Sequence, residues 1–189
     1  MSAEEKQSVR VEAPRKIDVT SGCVVWLTGL PSSGKSTLGA RLHDRMRREG
    51  QSCALLDGDE LRHALVPQPG YSPEERDAFY ATLANLAALL ARGGTVVIVA
   101  ATAHLRAYRE RARALAPRFV EVHVDVDAAE CARRDPKGLY AAARAEGARE
   151  MPGVHLAYEP PIAPDAIARG GEDDAAIEAI LERLAASSP

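Results

Sequence analysis

The sequence predicts an α/β fold in which a parallel β-sheet is covered by helices on both faces. Short apolar runs rich in β-forming residues recur along the chain, and stretches with helical periodicity separate them. Strands that alternate with helices form right-handed crossovers, and such crossovers build a parallel sheet. The length of 189 residues suits a single domain, which we assign to residues 21–189. Residues 1–20 are polar and mixed in charge, and they predict a flexible N-terminal leader.

The order of the predicted elements follows from these patterns. The predicted strands are residues 23–27, 52–56, 95–100 and 119–124. The predicted helices are residues 35–49, 73–92, 104–116, a helix that begins near 128, a short helix near 139–146, and 173–186. Helix 73–92 has the clearest start, because Ser72 can cap it and Pro73 suits its first position. Its buried side is predicted to carry Phe79, Leu83, Leu86, Leu89 and Leu90.

Composition argues against several classes of function. The net charge of -3 does not attract nucleic acid or a membrane surface, and 4% aromatic residues are too few for base-stacking platforms. No apolar run approaches the roughly 20 residues that span a bilayer. The cysteines, Cys23, Cys53 and Cys131, form no metal-binding motif. Since no secretory signal is visible, we expect a cytoplasmic protein that binds neither nucleic acid nor membrane.

The strongest signal is the segment Gly-Leu-Pro-Ser-Ser-Gly-Lys-Ser at residues 29–36, which matches the phosphate-binding pattern G-x-x-x-x-G-K-[ST]. A predicted strand precedes it and a predicted helix follows, as this pattern requires. We therefore expect a P-loop NTPase or kinase fold that binds ATP and Mg2+, with Lys35 at the β and γ phosphates and Ser36 on the metal. A Gly/Ser-rich turn that contains a lysine by chance is the alternative. The predicted nucleotide-binding residues are Gly29, Pro31, Ser32, Ser33, Gly34, Lys35, Ser36 and Thr37.

Two carboxylates at a predicted strand end are candidates for metal binding and base catalysis. Many P-loop proteins place an aspartate at the end of another strand, but strand 95–100 ends in alanine. Asp57 and Asp59 follow strand 52–56, at the strand end where parallel sheets bind ligands. They suit Mg2+ and a substrate hydroxyl. Alternatively, Asp59 is the N-cap of a following helix.

Other charged residues carry weaker signals. Asp125 is a rival for the metal role, but Asp125 and Asp127 are both expected to cap the helix that begins near 128. Arg62 and Arg76 are candidates for binding an anionic substrate, although a single surface arginine is more often solvated. The basic loop 133–138 suits closure over phosphates, and taken alone it is a charged turn.

Together these segments resemble the adenylylsulfate (APS) kinase family over residues 22–167. The resemblance is carried by residues 26–30, the phosphate-binding loop, and residues 56–62, 70–76 and 134–140. The last segment, Arg-Asp-Pro-Lys-Gly-Leu-Tyr, is the most specific one. Residues 158–161, Tyr-Glu-Pro-Pro, are similar to a Tyr-Glu-Ala-Pro segment of the family.

The resemblance implies transfer of the ATP γ-phosphate to the 3′-hydroxyl of APS, which gives 3′-phosphoadenylyl sulfate. By position, the catalytic residues would be Lys35, Asp57 and Asp59, with Asp59 as the base or hydroxyl orienter. Asp57 would support the metal together with Ser36. The residues implied to bind the acceptor or to close over it are Asp59, Arg62, Tyr71, Arg76, Phe79, Ala103, Lys137, Gly138, Leu139 and Met151. The family resemblance also implies a homodimer.

The acceptor side departs from the family pattern at several positions. The family usually has phenylalanine where Tyr71 stands and asparagine where Phe79 stands. A family serine is replaced by Ala103, and the Phe-Thr-Gly segment that helps to clamp adenine begins here with Met151. The acceptor is therefore either APS or another nucleotide-type compound. A nucleotide-binding module without catalytic activity is a further alternative, and the intact donor side counts against it.

Overall fold

The computed structural model describes residues 22–136, 138–143 and 150–186, and the predicted leader lies outside the described residues. The strands are β1 (Cys23–Thr28), β2 (Cys53–Asp57), β3 (Val96–Ala100), β4 (Phe119–Val124) and β5 (Ala166–Ala168). The helices are α1 (Lys35–Arg48), α2 (Gly58–Ala64), α3 (Pro73–Arg92), α4 (Arg106–Leu115), α5 (Ala128–Arg134), α6 (Leu139–Ala143) and α7 (Asp174–Ala185). The four predicted strands and the four longest predicted helices agree with these elements to within two residues at each end.

The strands of the described residues form one parallel sheet in the order β2-β3-β1-β4-β5. The central strand β1 pairs with β3 on one side, where Trp26 lies opposite Val99, and with β4 on the other, where Trp26 lies opposite Glu121. Because all strands run in the same direction, their carboxyl ends meet at one edge of the sheet. The phosphate-binding loop follows β1 at this edge and α2 follows β2, which is where parallel sheets place their ligand sites.

Side chains of β1 alternate between two apolar layers, one on each face of the sheet. Leu27 packs in the layer that α1 and α7 cover, with Leu42 and Ile180 as neighbours. Trp26 packs in the layer that α3 and α4 cover, together with Leu83. Burial on both faces explains why the sequence of β1 is a nearly continuous apolar run. The predicted arrangement, a parallel sheet with helices on both faces, is confirmed.

Three features differ from the predicted elements. The helix α2 was not given bounds from the sequence. The strand β5 was not predicted, because three residues of alanine and isoleucine are too short for a strand pattern. On α3, Leu89 is 60% exposed instead of buried. Phe79 and Leu83 are buried as predicted, and Leu86 and Leu90 are half-buried. The buried face also carries small residues that had not been assigned to it, Ala84, Ala87, Ala88 and Ala91. The alanines recur every three or four residues, as the helical repeat requires, so they share the buried face with Phe79 and Leu83.

The starts of α3 and α5 follow the predicted caps, and the predicted role of Asp125 is corrected. The Ser72 hydroxyl accepts a hydrogen bond from the Glu75 N–H, and the Glu75 carboxylate accepts one from the Ser72 N–H, which forms a capping box at α3. Asp127 caps α5. Asp125 does not cap that helix, because it lies two residues too early and forms an ion pair with Arg169 instead. Within the described ranges, no helix is long and apolar enough to cross a membrane.

Candidate active site

The phosphate-binding loop turns from β1 into α1 at the carboxyl edge of the sheet. Gly34 closes the turn in a left-handed conformation, with φ at 102°. A β-carbon at Gly34 would lie 2.4 Å from the backbone nitrogen of Gly171, so that no side chain fits there. The first turn of an α-helix has N–H groups without helical partners, and the helix dipole adds positive potential at the same place. The start of α1 therefore suits a phosphate group.

The other predicted nucleotide-binding residues surround this turn. Ser32 has a φ of 63°, and Ser33 is fully buried. The Ser33 hydroxyl has no hydrogen-bond partner within the described part of the chain. A β-carbon at Gly29 would lie 2.5 Å from the carbonyl oxygen of Val124, and Thr37 packs against Gly171. The loop is thus tightly enclosed, and its one orphaned hydroxyl lies within the cradle expected to hold phosphate.

Lys35 folds back over the loop that precedes it. It is the first residue of α1 and is 9% exposed. Its Nζ atom donates hydrogen bonds to the carbonyl oxygens of Gly29 at 3.0 Å and Leu30 at 2.7 Å. The ammonium charge therefore lies against the loop backbone, next to the start of α1.

Ser36 and Asp57 meet although they are 21 positions apart in the chain. The Ser36 hydroxyl donates a hydrogen bond to Oδ2 of Asp57 at 2.5 Å. The other oxygen of this carboxylate accepts from the N–H groups of Asp59 at 2.9 Å and Glu60 at 3.3 Å. Asp57, and not Asp59, is therefore the N-cap of α2. A hydroxyl oxygen beside a carboxylate is the kind of donor set that Mg2+ takes next to nucleotide phosphates, so the pair fits the predicted metal.

Asp59 lies in the first turn of α2 with its side chain exposed. It stands two residues past Asp57 at the same edge of the sheet. Its carbonyl oxygen forms a hydrogen bond with Nδ1 of His63 at 2.7 Å. An exposed carboxylate at this edge can accept a proton from a substrate hydroxyl.

Arg62 is a buried cation held by carbonyl oxygens and aromatic rings. It is 4% exposed, and its Nη1 atom donates to the carbonyl oxygens of Gly70 at 2.5 Å and Pro69 at 3.3 Å. Its guanidinium carbon lies 3.8 Å from the centroid of the Phe79 ring and 4.3 Å from that of the Tyr71 ring. We call Tyr71, Arg62 and Phe79 the arginine clamp. Each of the three residues was assigned to the acceptor site from the sequence, but their mutual contact was not foreseen.

Arg76 links two segments that are far apart in sequence. It is 5% exposed, and it donates from Nε to the carbonyl oxygen of Tyr71 at 2.8 Å. It donates from Nη2 to the carbonyl oxygen of Glu150 at 2.6 Å. These bonds tie the segment before α3 to the segment that leads into Met151. Arg76 is therefore part of the frame of the candidate acceptor site and is not a solvated surface residue.

Ala103 and His104 follow β3 in a buried turn. Ala103 is completely buried, its N–H donates to the Tyr80 hydroxyl at 3.0 Å, and its carbonyl oxygen accepts from Nη1 of Arg109 at 2.5 Å. His104 is 5% exposed, and its Nδ1 atom has no hydrogen-bond partner among the residues described. Burial lowers the pKa of His104, and the positive charge of Arg76 lowers it further. The imidazole is therefore neutral at pH 7.

The segments expected to form a lid pack against the phosphate-binding loop. The hydroxyl of Tyr140, on α6, donates to the carbonyl oxygen of Pro31 at 3.2 Å. Met151 is 7% exposed and belongs to an apolar cluster with Tyr140 and Cys131, against which Leu30 also packs. A shared cluster of this kind holds α6 close to the phosphate-binding loop.

The remaining residues predicted to close over the acceptor lie just before α6 and at its first position. Gly138 is exposed and has a φ of 65°, and Leu139 is half-buried. Lys137, which the resemblance assigned to the lid, lies outside the described residues.

Arg109 and Glu121 form a buried ion pair that sequence reasoning missed. Nε of Arg109 donates to Oε1 of Glu121 at 2.7 Å, and the two residues are 1% and 4% exposed. Arg109 also donates from Nη2 to the carbonyl oxygen of Glu159 at 2.7 Å. It thereby connects β4, the turn after β3 and segment 158–161. The sequence did carry one signal for this pair. Glu121 is a lone carboxylate in the apolar run of β4, and a buried carboxylate requires a partner.

These features define the class of the protein. A central parallel strand leads through a phosphate-binding loop into a helix, a serine–aspartate pair stands beside it, and buried arginines lie on the neighbouring helices. This is the arrangement of a P-loop kinase. We call the region around the loop the candidate donor half and the region around Arg62 and Arg76 the candidate acceptor half.

The chain belongs to the adenylylsulphate kinase family, whose model matches residues 21–169. It is 40% identical over 167 residues to the adenylyl-sulfate kinase of Shewanella halifaxensis (strain HAW-EB4), across 86% of this chain and 82% of that protein. It is 39% identical over 155 residues to the chloroplastic adenylyl-sulfate kinase 1 of Arabidopsis thaliana, across 81% of this chain and 56% of that protein. A structure of the Mycobacterium tuberculosis APS kinase with AMPPNP and APS matches with a TM-score of 0.78 at 35% identity, across 88% of this chain and 99% of that one.

Proposed function

We propose that the protein transfers the γ-phosphoryl group of ATP to the 3′-hydroxyl of adenylyl sulfate. The bond between the γ-phosphorus and the oxygen that bridges to the β-phosphate breaks, and a bond from phosphorus to the 3′-oxygen forms. The hydroxyl proton passes to a carboxylate of the protein, and the products are 3′-phosphoadenylyl sulfate and ADP. Membership of the adenylylsulphate kinase family supports adenylyl sulfate as the acceptor. The positions of the site residues support the role given to each of them.

In the donor half, the chain binds and neutralises the phosphates of ATP. The N–H groups at the start of α1 would hold phosphate oxygens, and Lys35 would turn its ammonium group from the loop carbonyls to the β and γ phosphates. Ser36 and Asp57 would hold Mg2+, whose charge supports the phosphoryl group as negative charge moves to the leaving oxygen. Catalysis by this half is therefore positioning and charge neutralisation.

In the acceptor half, the chain orients the attacking hydroxyl and binds the anionic end of the acceptor. Asp59, exposed at the carboxyl edge of the sheet, would accept the proton of the 3′-hydroxyl. Arg62 and Arg76 would bind the phosphate–sulfate group, because buried guanidinium groups bind such anions strongly. Tyr71 and Met151 would enclose the adenine.

The observation that carries this proposal is the contact of Ser36 with Asp57 at 2.5 Å. It joins the phosphate-binding loop to the start of α2, and α2 carries both Asp59 and Arg62. One short helix thus brings the candidate base and a candidate anion-binding residue to the candidate metal site. A phosphate-binding loop alone would define only a nucleotide-binding protein.

The test is to incubate the purified protein with ATP, Mg2+ and adenylyl sulfate and to separate the nucleotides by chromatography. We expect equimolar ADP and 3′-phosphoadenylyl sulfate. The variant Asp59→Ala should lose roughly a hundredfold or more in kcat and keep its KM for ATP, since a general base contributes about that factor. The matched control is Glu60→Ala, which removes the neighbouring exposed carboxylate of the same helix turn and should leave kcat unchanged.

A second candidate acceptor is another nucleotide, and the departures at Phe79, Ala103 and Met151 favour testing it. A panel of nucleoside mono- and diphosphates and nucleotide anhydrides, assayed by ADP release, addresses this. Turnover of a panel member without turnover of adenylyl sulfate would replace the acceptor and keep the kinase assignment. ATP binding without any ADP release across the panel would instead favour a binding module.

Two further proposals concern the protein as a whole. We infer a homodimer from the family resemblance, and sedimentation velocity at several protein concentrations tests it. We also infer a cytoplasmic location, which the free thiols of Cys23, Cys53 and Cys131 support because a reducing compartment keeps cysteines unpaired. Fractionation of the source cells tests that proposal.

A further inference from the structure

Arg62 is a charged side chain that is almost completely shielded from solvent. It is 4% exposed, and none of the carboxylates in residues 22–136, 138–143 and 150–186 forms an ion pair with it. Its charge is compensated by the carbonyl oxygens of Pro69 and Gly70 and by the two rings of the arginine clamp. Removing a charge from water without a counter-charge is costly. The position therefore suits an anionic ligand that completes the compensation.

Both rings of the clamp contact the guanidinium group. The guanidinium carbon lies 3.8 Å from the Phe79 centroid and 4.3 Å from the Tyr71 centroid. The face of an aromatic ring attracts a cation, and the attraction grows when both groups are shielded from water. Hydrogen bonds from Nη1 to two carbonyl oxygens further restrict rotation of the guanidinium group. The orientation of Arg62 is thus determined by the protein before any ligand arrives.

Phe79 is itself held in place by its neighbours. It is 3% exposed, and its ring meets the ring of Tyr80 edge to face with centroids 5.3 Å apart. The Tyr80 ring stacks on that of Tyr108 at 4.5 Å, and the Tyr80 hydroxyl accepts from the N–H of Ala103. Phe79 is therefore anchored by a chain of rings that reaches α4 and the turn after β3.

We propose that Phe79 is a positioning residue for the phosphoryl acceptor and that it acts through Arg62. The proposal rests on the proposed function, in which Arg62 meets the anionic phosphate–sulfate group of the acceptor. A guanidinium group that is already oriented loses less conformational freedom on binding than one that must be ordered by the ligand. Phe79 thereby lowers the KM for the acceptor and leaves the ATP half of the site unaffected.

Three variants separate this role from simple packing. Phe79→Leu keeps an apolar side chain but removes the ring, and Phe79→Tyr keeps the ring. Leu83→Val, one turn further along α3 in the same apolar layer, is the matched packing control. We expect Phe79→Leu to raise the acceptor KM roughly tenfold, as loss of one cation–π contact predicts, with the KM for ATP unchanged. Phe79→Tyr and Leu83→Val should keep the acceptor KM of the wild type.

The side-chain Nε–H signal of Arg62 in the NMR spectrum of the ligand-free protein provides a second measurement. Ring currents should shift this signal upfield in the wild type and in Phe79→Tyr, and the shift should shrink in Phe79→Leu. Equal acceptor KM values for Phe79→Leu and Leu83→Val would overturn the proposal. If the wild type does not turn over adenylyl sulfate, the proposed function fails, and the NMR signal then decides alone. An unchanged signal in Phe79→Leu overturns the role of Phe79, and a changed signal supports it.

Discussion

Arg109 and Glu121 share an ion pair from which water is almost completely excluded, at exposures of 1% and 4%. The carboxylate also accepts from Nη2 of Arg113 at 2.8 Å. The other donors of Arg109 hold the backbone of Ala103 and Glu159, so the pair anchors the turn that borders the acceptor half. We therefore expect the stability of this turn and the geometry of the candidate acceptor half to depend on this buried charge pair.

We expect Glu121→Ala to lower the free energy of unfolding by about 3–5 kcal/mol, because it leaves the Arg109 charge buried without its counter-charge. Urea denaturation followed by circular dichroism measures this. The control is Asp77→Ala, which removes a surface ion pair between Asp77 and Arg111. Because these side chains are 54% and 35% exposed, this variant should lose less than about 1 kcal/mol. Equal losses for the two variants would contradict the anchoring role.

We expect Asp57→Asn to separate folding from catalysis. Asparagine caps helices about as well as aspartate, so α2 should stay folded and the melting temperature should change little. The loss of the carboxylate charge should lower kcat/KM for ATP with Mg2+ by roughly a hundredfold or more, since metal-supported charge stabilisation contributes several kcal/mol. Asp127→Asn makes the same change at the cap of α5 and should retain full activity. Full activity of Asp57→Asn would remove this residue from the metal site.

We expect Gly34→Ala to abolish measurable ATP binding in calorimetry. The added methyl carbon would lie 2.4 Å from the backbone nitrogen of Gly171, so the start of α1 or the facing segment must move. Gly50→Ala is the control. Gly50 also has a positive φ, at 74°, but a β-carbon there meets no atom within 4 Å. That variant should lose only about 1 kcal/mol from backbone strain and bind ATP normally. Normal ATP binding by Gly34→Ala would show that the close approach is not required.

We expect stability to fall as the pH drops below about 6.5, the ordinary pKa of histidine. Burial lowers the pKa of His104 in the folded protein, so the unfolded chain binds the proton first and gains free energy from it. Above that pH both states are neutral at this residue and it contributes no pH dependence. His123 also has a pKa lowered by burial, so His104→Gln should reduce the acid sensitivity only in part. Urea unfolding at about pH 7.5 and pH 5.5 measures the change in the free energy of unfolding between the two pH values. An identical change for the wild type and His104→Gln would contradict the prediction.

The strand, loop and helix of the candidate donor half were predictable from sequence because local patterns encode them. Gly34 and Lys35 belong to one short loop with a known spacing, and the flanking strand and helix have clear periodicity. The position of Asp57 at a strand end was predictable in the same way. Its contact with Ser36 was not predictable, since that contact depends on how far β2 lies from β1 in the sheet. The cap of α2 is local, but it was assigned to Asp59, two residues too late.

The acceptor half was predictable only as a set of residues. Arg62 and Phe79 are 17 positions apart on different helices, and no sequence spacing indicates that a ring will lie 3.8 Å from the guanidinium carbon. Arg109 and Glu121 lie on a helix and a strand whose contact depends on the packing of α4 against the sheet. β5 was missed for a related reason: a strand of three residues is stabilised by its neighbour β4 and has no pattern of its own.

The close approach of the backbone at Gly34 to that at Gly171 also limits which substitutions the sequence can accept during evolution. A β-carbon at Gly171 would lie 2.6 Å from Cβ of Thr37 and 3.0 Å from the carbonyl oxygen of Gly34, so the two glycines exclude side chains from each other's position. Neither can compensate for a change in the other, because both already carry the smallest side chain. A library that randomises both positions should therefore return only the parental pair among functional clones, although 136 residues of chain separate them.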